Sequence, residues 1–205
     1  RASFGQGYRY PSMAEKYTAT SLGSLNIFPN PELTPETGWS AEAGIRQGYR
    51  FGNWSGYIDI AGFWTEYQDM MEFIFDLYLP DSNTIPTLDD LGFKSLNIGA
   101  AKITGIDITV NGQGQAGPVI LNYMAGYTYM NPLDLSADTL DDPILKYRYR
   151  HSAKGDVEVL VKNYSAGVTI TYQSFIERID EAFEMTILGQ EFFPGLKEYR
   201  EENDK

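Results

Sequence analysis

The chain has 205 residues, a net charge of −12, 14% aromatic residues and 20 glycines, a profile suited to strands and turns more than to a helix bundle. The acidic balance argues against a nucleic-acid partner. With no cysteine and one histidine, a disulfide framework, thiolate metal sites and most histidine-based zinc sites and triads are excluded.

No run of 18 apolar residues is present, so no transmembrane helix is expected, and no signal peptide is visible. Residues 1–8 alternate: Ala2, Phe4 and Tyr8 against Arg1, Ser3, Gly5 and Gly7, with Gln6 the exception. Pro11 closes this strand by removing a donor and restricting Tyr10. Arg1 falls inside it, so the chain is expected to be a piece of something longer. Residues 10–37 read as a long polar loop.

Residues 39–51 form the next strand, with Trp39, Ala41, Ile45 and Phe51 on one face and Glu42, Arg46 and Arg50 on the other. Gly52-Asn53 is a hairpin signal, and the return strand is predicted from Trp54 to about Phe75. Pairing Phe51 with Trp54 sets Ile45 opposite Ile60, Gln47 opposite Ile58 and Ala41 opposite Trp64. The same register predicts an ion pair between Arg46 and Asp59 on the inner, polar face.

A second long loop covers 76–100. Residues 101–111 descend with Thr104, Ile106, Ile108 and Val110 outward and Asp107, Thr109 and Asn111 inward; residues 112–117 read as a Gly/Gln turn. Residues 119–129 climb with Val119, Leu121, Tyr123, Ala125, Tyr127 and Tyr129 outward. A third, acidic loop holds Asp134, Asp138, Asp141 and Asp142. In residues 151–176 a two-residue turn at Lys162-Asn163 pairs Val161 with Tyr164, Val159 with Ala166 and Val157 with Val168. Residues 177–205 are a fourth long segment.

Alternation does not say where the apolar face points: another sheet in a soluble sandwich, lipid in an outer-membrane barrel. Three features favour lipid. Strands of about 11–13 residues match the 9–11 tilted residues a spanning strand needs. Placing Lys154, Asp156 and Glu158 in hydrocarbon would cost up to about 2–4 kcal/mol for a basic residue at the midplane, so the charges face a wet interior. The connections alternate long and short throughout, as in transmembrane barrels. Seven strands leave two unpaired edges, which hydrocarbon does not tolerate. The expected fold is all-β: an antiparallel transmembrane barrel segment of about seven up-and-down strands, with residues 1–205 as part of one barrel domain. The alternative is a soluble all-β module binding a carbohydrate or other ligand.

The stretch RASFGQGYRYPSMAEKYT, then NPELTPETGWSAEAGI, resembles TonB-dependent outer-membrane receptors at Gly5, Gly7, Tyr8-Arg9, Pro11, Glu15, Asn30-Pro31, Leu33, Pro35-Glu36, Glu42 and Gly44. NIGAAKITGIDITV (residues 97–110) resembles another strand of that family. The resemblance implies a 22-stranded barrel in the bacterial outer membrane, plugged by a domain absent here. It implies uptake of a scarce nutrient (siderophore, haem, cobalamin or glycan) with energy supplied by TonB through the plug. The implied partners are outer-membrane lipid, the plug, the remaining barrel strands and the nutrient itself. No enzyme activity, metal or cofactor is expected.

Lys146, Arg148 and Arg150 alternate with Tyr147 and Tyr149, in phase with inward Ser152 and Lys154. They read as a basic ladder inside the outer mouth, with the tyrosines outside at the membrane interface. The ladder would either touch an anionic ligand or form an internal ion-pair lattice. Tyr17, Tyr78 and Phe192, with Phe28 and Phe193, are loop aromatics that would stack on a ligand or pack within the loops. The acidic loops offer a metal chelate or calcium some oxygens, or are simply solvated. His151 reads as a rim residue. Asn53 and Asn163 match the glycosylation pattern but sit in tight turns.

Overall fold

Seven strands follow one another across a single antiparallel sheet in a computed structural model that describes residues 1–22, 25–79, 85–136, 143–184, 186–187, 190–191 and 193–203. The chain runs β1 (Ala2–Arg9), α1 (Met13–Tyr17), β2 (Thr20–Leu22), β3 (Leu25–Phe28), β4 (Glu36–Phe51), β5 (Trp54–Gln68), β6 (Met71–Leu77), β7 (Leu91–Asn97), β8 (Ala101–Ala116) and β9 (Val119–Asp134). It continues as β10 (His151–Val161), β11 (Tyr164–Gln173), a short ribbon of β12 (Thr186–Ile187) and β13 (Gln190–Glu191), and α2 (Leu196–Asn203). The large sheet has the order β1-β4-β5-β8-β9-β10-β11, an open run of barrel wall. Ile45 faces Ile60, Gln47 faces Ile58 and Ala41 faces Trp64; Val157 faces Val168 and Val159 faces Ala166. These are the registers expected from alternation and two-residue turns.

The outer face is apolar and uncovered. Val168 and Ile170 are 59% and 66% exposed, Ile45, Ile58, Ile60 and Val157 are exposed as well, and among the described residues no second sheet lies over them. That arrangement excludes the sandwich. Aromatic residues bound the band: Trp39 stacked on Trp64 at one end, Phe51, Trp54 and Tyr164 at the other. Ten residues separate Trp54 from Trp64 on β5, about 34 Å along a strand, or about 26 Å of height at a tilt near 40°. The hydrocarbon belt of such barrels is about 25 Å tall. Above Trp64 the outer face turns polar, with Glu66 opposite Lys102; the Trp64 indole donates to Glu66 and Lys102 lies over the ring. His151 joins this upper rim, its Nδ1 2.7 Å from the Tyr127 hydroxyl. No helix among the described residues is long and apolar enough to cross a membrane.

Several boundaries differ from expectation. β5 stops at Gln68 instead of continuing to Phe75: Asp69 has φ 53, a left-handed residue that turns the chain into a separate strand, β6. β8 runs on to Ala116, so residues 112–116 are strand and the turn is Gly117-Pro118 alone. Gly117 has φ 59 and proline fixes the next φ near −65°, the signs a tight hairpin needs. β4 starts at Glu36 and β9 ends at Asp134, so four central strands reach 15 or 16 residues and project beyond the belt. The third hairpin uses Lys162 at φ 55, where a side chain costs about 1–2 kcal/mol relative to right-handed backbone. Lys162→Gly in the full-length protein is therefore expected to raise the urea midpoint in lipid vesicles, by roughly 1 kcal/mol of stability.

Glycines and aromatic rings oppose each other across neighbouring strands. Phe63 faces Gly105, Trp54 faces Gly114 and Tyr67 faces Gly38. Tyr49 and Tyr123 lean from β4 and β9 over Gly56 and Gly112 until their hydroxyls touch. A Cβ on Gly112 or Gly114 would strike the ring that covers it.

The long connections are not structureless. β2, β3, β7 and β6 form a second sheet at the long-connection end, with β3 and β7 parallel. β6 alternates Met71, Phe73, Phe75 and Leu77 against Glu72, Ile74 and Asp76. Phe73 stacks on Phe93 at 5.0 Å, Phe75 on Phe183 at 4.5 Å, and Phe75, Leu91 and Ala182 are fully buried. This small sheet thus has an aromatic core of its own.

Candidate functional site

Helix α1 begins at Ser12, whose hydroxyl accepts the Glu15 N–H while its own N–H donates to Glu15 Oε2 at 2.7 Å. This capping box satisfies two orphan donors and fixes where Glu15 points. Glu15 Oε1 then accepts Arg9 Nη1 at 2.7 Å, Arg9 Nε donates to Glu36 Oε1 at 3.0 Å, and Glu36 Oε2 accepts the Met71 N–H at 2.9 Å. One series of charge-assisted bonds thereby ties α1 to the tops of β1 and β4 and to the start of β6. The Ser12 N–H, and after it the Arg9 guanidinium, hold the Glu15 carboxyl down to about 2. A depressed carboxyl stabilises the fold above its unfolded value, near 4.3, and loses that contribution as pH falls toward 2. A spin label at position 17 is therefore expected to become mobile between pH 4 and 2, and Arg9→Met to bring that transition to higher pH.

Between α1, β3 and the β6–β7 ribbon opens a cleft of about 360 Å³, lined by Ala14, Glu15, Thr18, Ile27, Phe28, Met71, Glu72, Phe73 and Ser95. Asn30 braces its back wall by donating to the Ser95 carbonyl at 2.8 Å. Glu72 is the least settled group in it. Its side chain is only 13% exposed, it makes no hydrogen bond among the described residues, and its nearest cation, Arg148, stands 3.8 Å away. Burial pushes its carboxyl up, against the opposing pull of Arg148 and Lys146.

Behind the cleft lies a buried node. Asp180, 0% exposed, accepts Lys146 Nζ at 2.7 Å, the Tyr147 hydroxyl at 2.6 Å and the Phe75 N–H at 2.9 Å. Burial, and next the bond to Asp180, push the Tyr147 phenol up. The segment after β11 is thus pinned both to β6 and to the segment before β10.

The basic ladder is absent. Residues 145–148 are a turn with Tyr147 at φ 57, and the strand starts at His151. Lys146 meets Asp180, Arg148 approaches Glu72, and Arg150 Nε lies 2.8 Å from Glu177 Oε1. Tyr147 points its hydroxyl into the protein, not at a membrane interface. A left-handed residue breaks the two-residue period, so the alternation Lys-Tyr-Arg-Tyr-Arg carries no facing information. Arg46 Nε and Asp59 Oδ2 are 2.6 Å apart, and Arg1 reaches the same carboxylate. Tyr17 ends α1 and is exposed outside the cleft lining. Tyr78 packs on Phe28 and takes Lys94 Nζ over its ring at 5.4 Å. Phe193 packs on Phe183; Phe192 lies outside the described residues. Glu36 was marked in the sequence only by the family resemblance, and Glu72 and Asp180 were not singled out at all. Their partners lie 27 or more residues away, and no spacing signals them. Among the described residues no group of His, Asp and Glu is placed to hold a metal ion.

The family model described as "TonB dependent receptor-like, beta-barrel" matches residues 1–196. Among solved structures, a double mutant of the Serratia marcescens hemophore receptor HasR, in complex with its hemophore HasA and heme, superposes with a TM-score of 0.56 at 18% identity. The match covers 84% of this chain and 29% of that one, so the chain spans less than a third of that receptor's length and the likeness is one of fold. An open meander with an aromatic-bounded apolar outside, a charged inside and strictly alternating connections agrees with the family match over nearly the whole chain: it belongs to the TonB-dependent receptor-like β-barrel family.

Proposed function

We propose that this chain is part of the barrel wall and external loops of a bacterial outer-membrane receptor that imports a scarce nutrient with TonB-supplied energy. Residues 1–205 then form a portion of a single barrel domain, completed by further strands and by a plug. The observation that carries the reading is the uncovered apolar belt between two aromatic rims, with charge confined to the opposite face. The long-connection end, with its own folded sheet, is the outer mouth. Siderophore, haem, cobalamin and glycan remain the candidate cargoes, and transport rather than catalysis is the role. Lys146, Arg148 and Arg150 hold the loops together in this reading, each on a carboxylate; Phe28 and Phe73 are the aromatics offered to cargo, with Tyr78 behind Phe28.

Accumulation of labelled nutrients from the four classes, in cells carrying the full-length receptor with and without TonB, tests this. Uptake of one class that disappears without TonB is the expected result. A full-length protein that is folded and monodisperse without detergent would overturn it.

A further inference from the structure

We propose that the cleft between α1 and the small sheet binds an ammonium group carried on an apolar or aromatic body. The inference rests on the receptor reading for its biological setting, since the cleft would then face incoming cargo, but its chemistry follows from the cleft itself. The lining combines Ile27, Phe28, Met71 and Phe73 with the carboxylates of Glu15 and Glu72, and no cationic residue lines it. About 360 Å³ is the size of a small-ligand pocket and accommodates a substituted amine with its apolar group.

Glu72 supplies the reason for a cation. Its carboxylate keeps little contact with water, makes no hydrogen bond to the described residues and has Arg148 at 3.8 Å, beyond hydrogen-bond distance, so its charge is incompletely neutralised. An ammonium N–H entering the cleft would add a close charge-assisted bond. Phe73 stacks one face on Phe93 and remains half exposed, leaving ring surface toward which a cation is attracted. The adjoining aromatic already does this within the chain, where Lys94 rests over Tyr78.

The surroundings select in the same direction. The long connections (residues 10–35, 69–100, 135–150 and 174–205) hold 20 of the 28 acidic residues and nine of the 16 basic ones, hence −11 of the −12 net charge. Beside the cleft, Arg9 is shared by Glu15 and Glu36, and Lys146 is committed to Asp180. An anion would meet like charge on approach; of the guanidiniums beside the cleft, Arg9 is held by Glu15 and Glu36, and Arg148 stands 3.8 Å from Glu72 outside the lining.

Titration of purified full-length receptor in detergent with benzyltrimethylammonium, benzylamine, benzyl alcohol and benzoate, followed by calorimetry at pH 7, tests the proposal without any need for uptake. The two cations are expected to saturate one site and benzoate to bind about tenfold or more weakly. Glu72→Gln should lower cation affinity about tenfold while leaving benzyl alcohol unchanged, and Phe73→Ala should weaken all binders. Cation binding should also fade as pH drops through the raised range of Glu72; Arg148, Lys146, Asp134 and Asp180 are the charged groups that act on it. Benzoate binding as tightly as the amines, no saturable binding of either cation, or indifference to Glu72→Gln in a variant that keeps the parent's heat-modifiable gel mobility, would overturn it. Failure of TonB-dependent uptake with probe binding intact would instead count against the transport reading alone.

Discussion

Ile60→Lys is expected to block assembly of the full-length barrel in vesicles, whereas Thr109→Lys is expected to be tolerated. Ile60 lies on the outer face near the middle of the stretch between Trp54 and Trp64 and is 49% exposed. A lysine there would sit near the bilayer midplane, at a cost of about 2–4 kcal/mol. Thr109 lies on the next strand, paired with Asp59 on the inner face, and its hydroxyl is already directed at Asp107. A lysine there enters water between two carboxylates, and a change within about 0.5 kcal/mol is expected. Heat-modifiable gel mobility and urea titration in vesicles distinguish the two. Equal losses would mean that the sheet has protein on both sides, and the membrane reading would fall.

The second large effect belongs to Asp180→Ala. Removing this carboxylate leaves Lys146 without its partner in a largely buried position and strips acceptors from the Tyr147 hydroxyl and the Phe75 N–H. Breaking a buried pair from one side costs about 3–5 kcal/mol. The loss should be local: hydrogen exchange at Phe75 and across residues 143–150 and 174–184 accelerates, while β4, β5, β8 and β9 keep their protection. Adding Lys146→Met removes the stranded charge and should recover part of the loss, since deleting both partners is far less costly than deleting one. Uniform acceleration throughout the large sheet would show that Asp180 supports the barrel itself, not the loops alone.

How much of this was legible beforehand varied with distance along the chain. The barrel strands announce themselves because each faces two media, so alternation and two-residue turns suffice to give Arg46 opposite Asp59 and Val157 opposite Val168. The resemblance to the family was carried partly by Arg9, Glu15 and Glu36, which turn out to be joined in one network. The small sheet was not legible. β7 has the pattern Leu-Gly-Phe-Lys-Ser-Leu-Asn, with leucine, phenylalanine and serine on one face, and its parallel partner β3 lies more than 60 residues away. Pairings of that separation leave no local period. Tyr147 shows the converse error: a convincing alternation at 146–150 was broken by one left-handed residue that composition does not betray.

The facing of rings and glycines described above has a consequence for bore width. Two-sided patterning forbids a strand to slide by one residue but is indifferent to a slide by two. Moving β5 two places along β8 would drive Phe63 against Ile103 or Asp107 in place of Gly105, and along β4 would set Tyr67 against Ser40 or Glu36 and part Arg46 from Asp59. These toothed contacts thus select one stagger among those that hydropathy permits. Because accumulated stagger and strand number together determine a barrel's diameter, a handful of missing side chains helps decide how wide a barrel built with these strands is.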